Sequence, residues 1–324
     1  MSLLAADRIA FERTGYLHLP GLLDPDVDLI PLREEYALAI DRAAADMRTR
    51  GIVNSEYRDL PFDERIGRLY EASDGALHTY LDIALPQRGV TADTPMHCGP
   101  AVFALLRHPK LLDAVEALIG AEIYSNPTQH VRIKPPARYL QTNSRIRGEI
   151  ATTVWHQDQG TVAPEADTTD MITAWIAVTE STRETGCLLV APGSHQHGLA
   201  LHCHDTRANF SRQAIPDRLV GEKRVALEAA PGDVIFLHKL TMHASLENRS
   251  ERVRWSLDLR YNPTGQPTGR PWFPGFVARS RAHPADVLET HQEWAELWND
   301  ARVKLATSPP RSFQRWAEDD PGCA

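Results

Sequence analysis

The chain has 324 residues, of which 42% are hydrophobic and 24% are charged, a composition typical of a globular protein with a sizeable core. Its formal net charge of −8 argues against non-specific binding to nucleic acid or to anionic membranes, and no apolar run approaches the roughly 18 residues of a spanning helix. The first residues lack a basic segment followed by a long apolar stretch, so we expect no signal peptide and a cytoplasmic protein.

The first 120 residues are predicted to be mainly helical. Helices are predicted, in chain order, over 5–14, 25–50 and 101–119, with a short strand over 15–20 between the first two. Residues 52–100 mix Pro, Gly, Asp and aromatic residues without a clear period. We interpret them as an irregular insertion that covers a site.

From about residue 121 the pattern changes to short strands separated by Pro and Gly turns. Strands are predicted over 121–134, with a break at Asn126-Pro127, and over 170–178, 186–190, 234–237 and 252–261. The last one alternates: apolar residues such as Trp255 and Leu257 share one face, and Arg254, Ser256, Asp258 and Arg260 share the other. Such a series predicts a sandwich or a small barrel.

These patterns predict a single catalytic domain that spans 1–324. Its parts are a helical region over 1–120 that contains the lid-like insertion 52–100, a core of strands over 121–262, and a C-terminal loop and helix over 263–324. The apolar stripe of the last helix predicts that it packs on the outside of the sheets.

The four cysteines are Cys98, Cys187, Cys203 and Cys323. Their spacing shows no C-x-x-C pair and no disulfide framework. Because thiols stay reduced in the cytoplasm, we expect all four to be free.

The chemistry-bearing motif is Trp155-His156-Gln157-Asp158, followed much later by His243. Two imidazoles and one carboxylate are the ligands of the 2-His-1-carboxylate facial triad, which holds Fe(II) and leaves positions open. Residues two apart on a strand point to the same face, which suits His156 and Asp158. An H-x-D pair is common by chance, so plain hydrogen bonding is the alternative. His238 could be mistaken for the third ligand, but His243 has the better spacing to Arg254.

Further markers surround the motif in a fixed order. They are Thr173-Ala-Trp-Ile-Ala-Val178, the segment Gly186 to His195, Pro231-Gly-Asp-Val-Ile-Phe236, and Arg254 with Ser256. With these markers the chain resembles the phytanoyl-CoA dioxygenase family of Fe(II)/2-oxoglutarate oxygenases, from Phe11 to Tyr261. The match is poor over 50–95. The resemblance implies a mainly β fold with flanking helices: a double-stranded β-helix (jelly roll, cupin-like) with helices packed on the major sheet.

The resemblance also implies roles for single residues. His156, Asp158 and His243 match the iron ligands, and Arg254 matches the arginine that binds 2-oxoglutarate. A guanidinium suits this role because it grips a carboxylate through two parallel hydrogen bonds. Further cofactor contacts are expected from Ser256, Trp175, Gln129 and Arg132, with Lys134 as a weaker candidate. Core packing is the alternative for Trp175.

The implied reaction uses Fe(II), 2-oxoglutarate and O2 to hydroxylate an unactivated C–H bond of a small molecule, and it releases succinate and CO2. Desaturation, epoxidation and ring rearrangement are other outcomes of the same chemistry. Halogenation is disfavoured, because the related halogenases have Gly or Ala where this chain has Asp158. The alternatives are a non-catalytic jelly-roll binding protein and a cupin-type metalloenzyme that uses no 2-oxoglutarate. Neither would need Arg254.

Substrate contacts are expected from 52–100, 160–169 and 265–276. The aromatic residues between Trp272 and Phe276 either close over a small apolar molecule or pin the chain to the barrel. We expect a natural-product tailoring or catabolic hydroxylation, and the acidic chain gives no support for an acyl-CoA substrate. The tract with His195, His197, His202 and His204 is interpreted as a solvated loop rather than a metal site.

Overall fold

The computed structural model describes residues 3–140, 150–204, 213–308, 315–317 and 320–323. Its helices are α1 (Ala5–Thr14), α2 (Ile30–Thr49), α3 (Phe62–Ala72), α4 (Leu77–Leu81), α5 (Pro100–Leu106), α6 (Pro109–Ile119), α7 (Asp217–Val220) and α8 (His291–Ala306). Its strands are β1 (Tyr16–Leu19), β2 (Ile123–Lys134), β3 (Ile172–Ala177), β4 (Leu188–Val190), β5 (Cys203–His204), β6 (Gln213–Ala214), β7 (Val225–Leu227), β8 (Val234–His238), β9 (His243–Ser245), β10 (Arg254–Pro263) and β11 (Phe276–Arg279). None of the described helices is long and apolar enough to cross a bilayer.

Two antiparallel sheets face each other and enclose the inner cavity. The major sheet has the order β1-β8-β3-β10-β2-β11, and the minor sheet has the order β7-β4-β9. Trp175 and Leu237 of the major sheet pack with Leu188 and Leu227 in one buried cluster between the sheets. Two facing antiparallel sheets whose strands cross over in this way form a jelly roll, so the predicted fold class is confirmed.

Strand β10 separates an outer, apolar side from an inner, charged side, because successive side chains of a strand point to opposite faces. Trp255, Leu257 and Leu259 point outward; they are at most 2% exposed and pack against the helices. Each large apolar side chain buried in this way contributes about 1.5–3 kcal/mol to folding. Arg254 and Arg260 point inward and line the cavity, as the alternating pattern predicts.

Strand β2 is bulged at Asn126-Pro127, where the sequence suggested a break. Residues 127–129 lie between two paired positions of β10, which marks a register shift. Proline donates no ladder hydrogen bond, and a bulge is where a strand tolerates it. The side-chain amide of Gln129 donates within the bulge, to Ser125 Oγ at 2.7 Å and to the Asn126 carbonyl.

The prediction of an irregular stretch over 52–100 is wrong in part, because the stretch contains α3 and α4. Leu69, Tyr70 and Leu81 are at most 1% exposed and join the core on the outer face of the major sheet. The apolar residues of α3 recur at helical spacing over its 11 residues, so the sequence carries a signal for this helix, whereas α4, with 5 residues, is too short to show a period. The insertion also reaches β2, where the Val131 N–H donates to Asp82 Oδ1 at 2.9 Å.

Helix α8 packs on the outside of the sheets, as predicted. Its N-cap is Thr290, whose hydroxyl accepts a hydrogen bond from the Glu293 N–H. Trp298 on its buried face lies 5.3 Å, centroid to centroid, from the ring of Phe273. Phe273 and Phe276 are part of the same core cluster, so these aromatic residues pin the chain to the barrel.

Two of the four cysteines form a disulfide, Cys203–Cys323, so the prediction of four free thiols is wrong for this pair. The two residues are 120 positions apart. Only the tertiary fold brings them together, and no local spacing could have indicated it. Cys98 and Cys187 are free, as expected.

Candidate metal centre and adjoining anion site

Three side chains with metal-binding atoms meet between the sheets: His156, Asp158 and His243. Asp158 Oδ1 lies 3.7 Å from Nε2 of His156 and 3.8 Å from Nε2 of His243, and the three ligand atoms lie within 4.8 Å of one another. A divalent ion about 2 Å from its ligands would reach the carboxylate together with either imidazole at these separations. The structure therefore brings the three predicted ligands together.

Backbone hydrogen bonds fix the two histidines relative to each other. The N–H of each donates to the carbonyl of the other, at 3.0 Å and 2.9 Å, which extends the minor sheet by one bridge beyond β9. Asp158 does not continue this bridge; it begins the 3₁₀ turn Asp158–Thr161. The single strand expected for His156 and Asp158 is therefore a bridge followed by a turn.

Each ligand imidazole is held in one tautomer. Nδ1 of His156 donates to the Val154 carbonyl at 2.9 Å, and Nδ1 of His243 donates to the Thr241 carbonyl at 2.9 Å. Burial, and then the nearby His243, hold the pKa of His156 well below its usual range. A neutral ring whose Nδ1 carries the proton presents the Nε2 lone pair to the centre, which is the form that binds a metal.

Both oxygens of the Asp158 carboxylate accept hydrogen bonds from neighbouring side chains. Arg260 donates to its Oδ1 and the Thr173 hydroxyl donates to its Oδ2. Burial alone would raise the pKa of this carboxyl, but the Arg260 guanidinium and the neighbouring groups lower it well below its ordinary value. Asp158 is therefore ionised at neutral pH. Sequence reasoning missed Arg260; its only signal was a place on the polar face of β10.

Arg254 lies further along the same face and forms no ion pair within the described residues, where Asp258 is the negative charge that acts on it most strongly. It is 3% exposed, its guanidinium lies 5.6 Å from the Trp175 ring centroid, and it donates to the Ser256 hydroxyl. Its Nε has no hydrogen-bond partner among the described residues. Burial lowers the pKa of Arg254 to about 10, so the group is still a cation at neutral pH. A buried cation without a counter-ion is costly, and this one faces a cavity that could admit an anion.

Lys134 adds a second buried basic side chain beside Arg254. The two residues are paired across β2 and β10, and Lys134 is 3% exposed. Its ammonium donates to Ser245 Oγ at 2.9 Å and to the Leu246 carbonyl, which are uncharged acceptors. Burial, and then the charge of Arg254, hold the pKa of Lys134 well below its usual range. This end of the cavity is therefore built for an anion.

The remaining predicted cofactor residues differ in position. Trp175 and Arg132 line the cavity together with the metal-binding residues, and Arg132 Nε lies 3.3 Å from Asp258 Oδ2. Ser256 is fully buried behind Arg254. Gln129 is not among the residues that line the cavity, because the bulge in β2 uses its amide. The cavity itself is narrow, at about 40 Å³, and so admits a small ligand but not a bulky substrate.

The histidines that could have been mistaken for ligands lie elsewhere. The His238 ring lies tilted against the His195 ring, with centroids 5.1 Å apart, and His238 does not join the metal-binding group. His197 is exposed, as expected for a loop. The expectation of a solvated loop is wrong for His202, which is 2% exposed and accepts a hydrogen bond from the Gln157 N–H.

A jelly roll that encloses two imidazoles and one carboxylate defines a non-haem iron oxygenase of the 2-His-1-carboxylate class. A sequence profile of the family described as phytanoyl-CoA dioxygenase (PhyH) matches residues 11–256. The chain belongs to that family, and it is a non-haem iron enzyme that uses 2-oxoglutarate as cosubstrate. The predicted family, enzyme class and cofactors are confirmed.

Named relatives have different substrates. The chain is 29% identical over 266 residues to a probable phytanoyl-CoA dioxygenase of Caenorhabditis elegans, with 80% of this chain and 76% of the relative covered. It is 27% identical over 238 residues to 1-deoxypentalenic acid 11-beta-hydroxylase of Streptomyces arenae, with 69% and 80% covered. At these identities the family is shared and the substrate is left open.

Solved structures share the fold at low sequence identity. The apo form of the non-heme monooxygenase ThoJ aligns with a TM-score of 0.52 at 17% identity, over 92% of this chain and 98% of that chain. EvdO2 from Micromonospora carbonacea var. aurantiaca, complexed with 2-oxoglutarate, aligns with a TM-score of 0.50 at 21% identity, over 85% and 98%. These likenesses concern the fold alone.

Proposed function

We propose that the chain hydroxylates an unactivated C–H bond of a small organic molecule, with Fe(II) held by His156, Asp158 and His243 and with 2-oxoglutarate held by Arg254. The observation that carries this proposal is the buried, unpaired Arg254 at one end of the cavity that holds the three ligands. A non-catalytic binding protein or a metalloenzyme without 2-oxoglutarate would not need a buried cation at this place.

Several side chains fit the cosubstrate. Arg254 would pair with the far carboxylate of 2-oxoglutarate. Lys134 and the Ser245 hydroxyl lie beside Arg254, and Trp175 would form one wall of the site. When bound, Fe(II) and 2-oxoglutarate activate O2 for oxidation of the C–H bond, and 2-oxoglutarate leaves as succinate and CO2. The chemistry belongs to these groups, and the chain binds them, orients them and shields them from side reactions.

The chain's own residues keep the ligands in their binding forms. The Val154 and Thr241 carbonyls accept hydrogen bonds from Nδ1 of the two imidazoles, which leaves Nε2 of each ring directed toward the centre. Arg260 and Thr173 keep the Asp158 carboxylate ionised and in place. The carboxylate occupies the position that a halide would need, which supports hydroxylation over halogenation.

For the substrate we propose a small molecule with polar groups, from natural-product or catabolic metabolism, rather than an acyl-CoA. Arg132 and Asp258 line the cavity with charged groups. The acidic chain supports neither a nucleic-acid nor a membrane partner. We further propose that residues 1–324 act as one catalytic domain in the cytoplasm, with 52–100 as a lid-like segment.

The test is an anaerobic titration of the apo-protein with Fe(II) and then 2-oxoglutarate, read by the visible charge-transfer band of the iron chelate. Asp158→Ala should abolish the band. Arg254→Ala should weaken 2-oxoglutarate binding by about 30-fold or more, because loss of one partner from a buried charge pair costs 2 kcal/mol or more. Arg249→Ala is the matched control, since Arg249 is 80% exposed in its side chain. Absence of the band in the unsubstituted protein would refute the proposal.

A further inference from the structure

The Cys203–Cys323 disulfide fastens the end of the chain beside the metal centre. Cys203 lies on β5 and is 8% exposed, and Cys323 lies in the last described segment, 120 residues later. The C-terminal segment is described at residues 315–317 and 320–323. The S–S bond links this segment covalently to β5. This segment follows α8 and is not needed to complete either sheet.

Non-covalent contacts continue from the disulfide toward the ligands. The Trp316 ring stacks on the His202 ring with centroids 4.4 Å apart and an interplanar angle of 18°. Arg315 Nε donates to the Val162 carbonyl at 2.7 Å, and its guanidinium pairs with Asp167. Val162 directly follows the 3₁₀ turn Asp158–Thr161 (the ligand turn), and Asp167 lies five residues further along the chain. The C-terminal segment therefore contacts both His202 and the chain that follows the ligand turn.

His202 transmits this contact to the peptide between two ligands. Its Nδ1 donates to the Ala200 carbonyl at 2.9 Å, which leaves Nε2 free to accept the Gln157 N–H at 3.0 Å. The fully buried Gln157 amide donates to the carbonyls of Gly198 and Leu240 at 2.9 Å and 2.7 Å. Gln157 is the residue between His156 and Asp158. A shift of His202 would move the ligand pair with it.

We propose that this disulfide tunes the Fe(II) affinity of the site: oxidised, it holds the C-terminal segment and His202 against the ligand turn; reduced, it releases them and weakens metal binding. His202, Gln157 and Trp316 are positioning residues in this chain of contacts. The inference rests on the iron site of the proposed function. In the redox step the S–S bond breaks, each sulfur gains one electron and one proton, and a dithiol reductant is oxidised to its disulfide.

Weakened binding, rather than loss of binding, is expected because the ligand segment keeps its other contacts. One bridge still joins His156 to the minor sheet, and Arg260 and Thr173 still hold the Asp158 carboxylate. Groups that orient metal ligands from behind typically account for 10–100-fold in metal affinity. We expect reduction to raise the Fe(II) dissociation constant by about 10-fold.

The experiment first counts thiols in the denatured, unreduced protein, where two are expected. Fe(II) affinity is then measured anaerobically by calorimetry for the oxidised protein, for protein reduced with a dithiol that is removed by gel filtration, and for Cys323→Ser. Trp316→Ala tests the non-covalent contact with the disulfide intact. Cys98→Ser is the control, because Cys98 is free and away from the ligands. Circular dichroism checks that each variant is folded.

In support, the reduced protein and Cys323→Ser bind Fe(II) about 10-fold more weakly than the oxidised protein, Trp316→Ala shows a smaller loss, and Cys98→Ser shows none. Reduction should also let trypsin cleave the apo-protein after Arg315, whose side chain is 6% exposed. Equal Fe(II) affinity in the oxidised and reduced proteins, or four free thiols at the start, would overturn the inference while the proposed function stands. No Fe(II) binding in either state would refute both.

Discussion

The two ends of the cavity differ in whether their buried charged groups have partners of opposite charge. At the metal end, Asp158 has a guanidinium and a hydroxyl as partners, and both imidazoles have a backbone acceptor for Nδ1. At the other end, Arg254 and Lys134 lie side by side, and within the described residues their side-chain hydrogen-bond partners are uncharged hydroxyl groups. The first end presents a full set of three metal-binding groups. The second end presents basic groups that an anion could neutralise, and this difference supports the proposal that the metal binds at one end and the cosubstrate at the other.

The largest expected effect comes from removal of the cation at the metal end. Arg260→Met leaves the buried Asp158 carboxylate without its charged partner, which should lower the free energy of unfolding of the apo-protein by about 3–5 kcal/mol. Urea unfolding measures this loss, and Fe(II) should recover part of it because the ion supplies positive charge. Arg252→Met, which breaks an exposed pair with Glu180, should cost less than about 1 kcal/mol. Equal losses of unfolding free energy in Arg260→Met and Arg252→Met would mean that the buried pair of Arg260 stabilises the fold no more than an exposed pair.

Asp82, a buried carboxylate outside the cavity, tests whether hydrogen-bonded buried charge also stabilises the fold away from the metal centre. Burial alone would raise the pKa of Asp82, but the charge and hydrogen bond of His130, at 2.9 Å, help to lower it from 3.8 to about 2. A depressed carboxyl pKa stabilises the fold above about pH 4, and this stability is lost as the pH falls toward 2. Asp82→Asn should therefore cost about 2 kcal/mol at neutral pH and flatten the unfolding free energy between pH 4 and pH 2. An unchanged pH profile would count against this assignment.

The smallest effect on stability is expected at the unsatisfied end. Arg254→Met removes a buried cation that has no anionic partner, so the unfolding free energy of the apo-protein should change by no more than about 1 kcal/mol, in either direction. The same urea experiment as for Arg260→Met gives the value, and 2-oxoglutarate should no longer raise the stability of the Fe(II)-loaded variant. A loss of 3 kcal/mol or more would mean that Arg254 is already paired in the apo-protein, and the contrast between the two ends would be lost.

The features that sequence predicts well are those with a local period. The alternation of Trp255 and Leu257 with Arg254 and Ser256 identified both faces of β10, and the same rule applied to Thr173 and the rest of β3. The H-x-D pair supplied two ligands within three residues, and the order of the family markers supplied the third. In each case the spacing along the chain is set by the geometry of one element.

The features that sequence did not predict depend on contacts between distant elements. The pairing of Arg260 with Asp158 joins β10 to a turn 102 residues away, and the disulfide joins positions 120 residues apart. Gln129 shows a second cause: the bulge at Asn126-Pro127 shifts the register, so its direction could not be read from alternation. Helix α4 has too few residues to define a period, whereas the apolar spacing of α3 is a local signal that could have predicted it.

The inner face of β10 has a consequence for how this enzyme can change over evolution. Side chains alternate with a period of two, so one inserted or deleted residue between Arg254 and Arg260 would send one of these arginines to the apolar side and bring core leucines into the cavity. Length variation in this strand would therefore destroy cofactor binding and packing together. Segments outside the strand, such as 52–100 and 265–276, can change in length without altering this register, so under the proposed function they are where adaptation to a new substrate is expected.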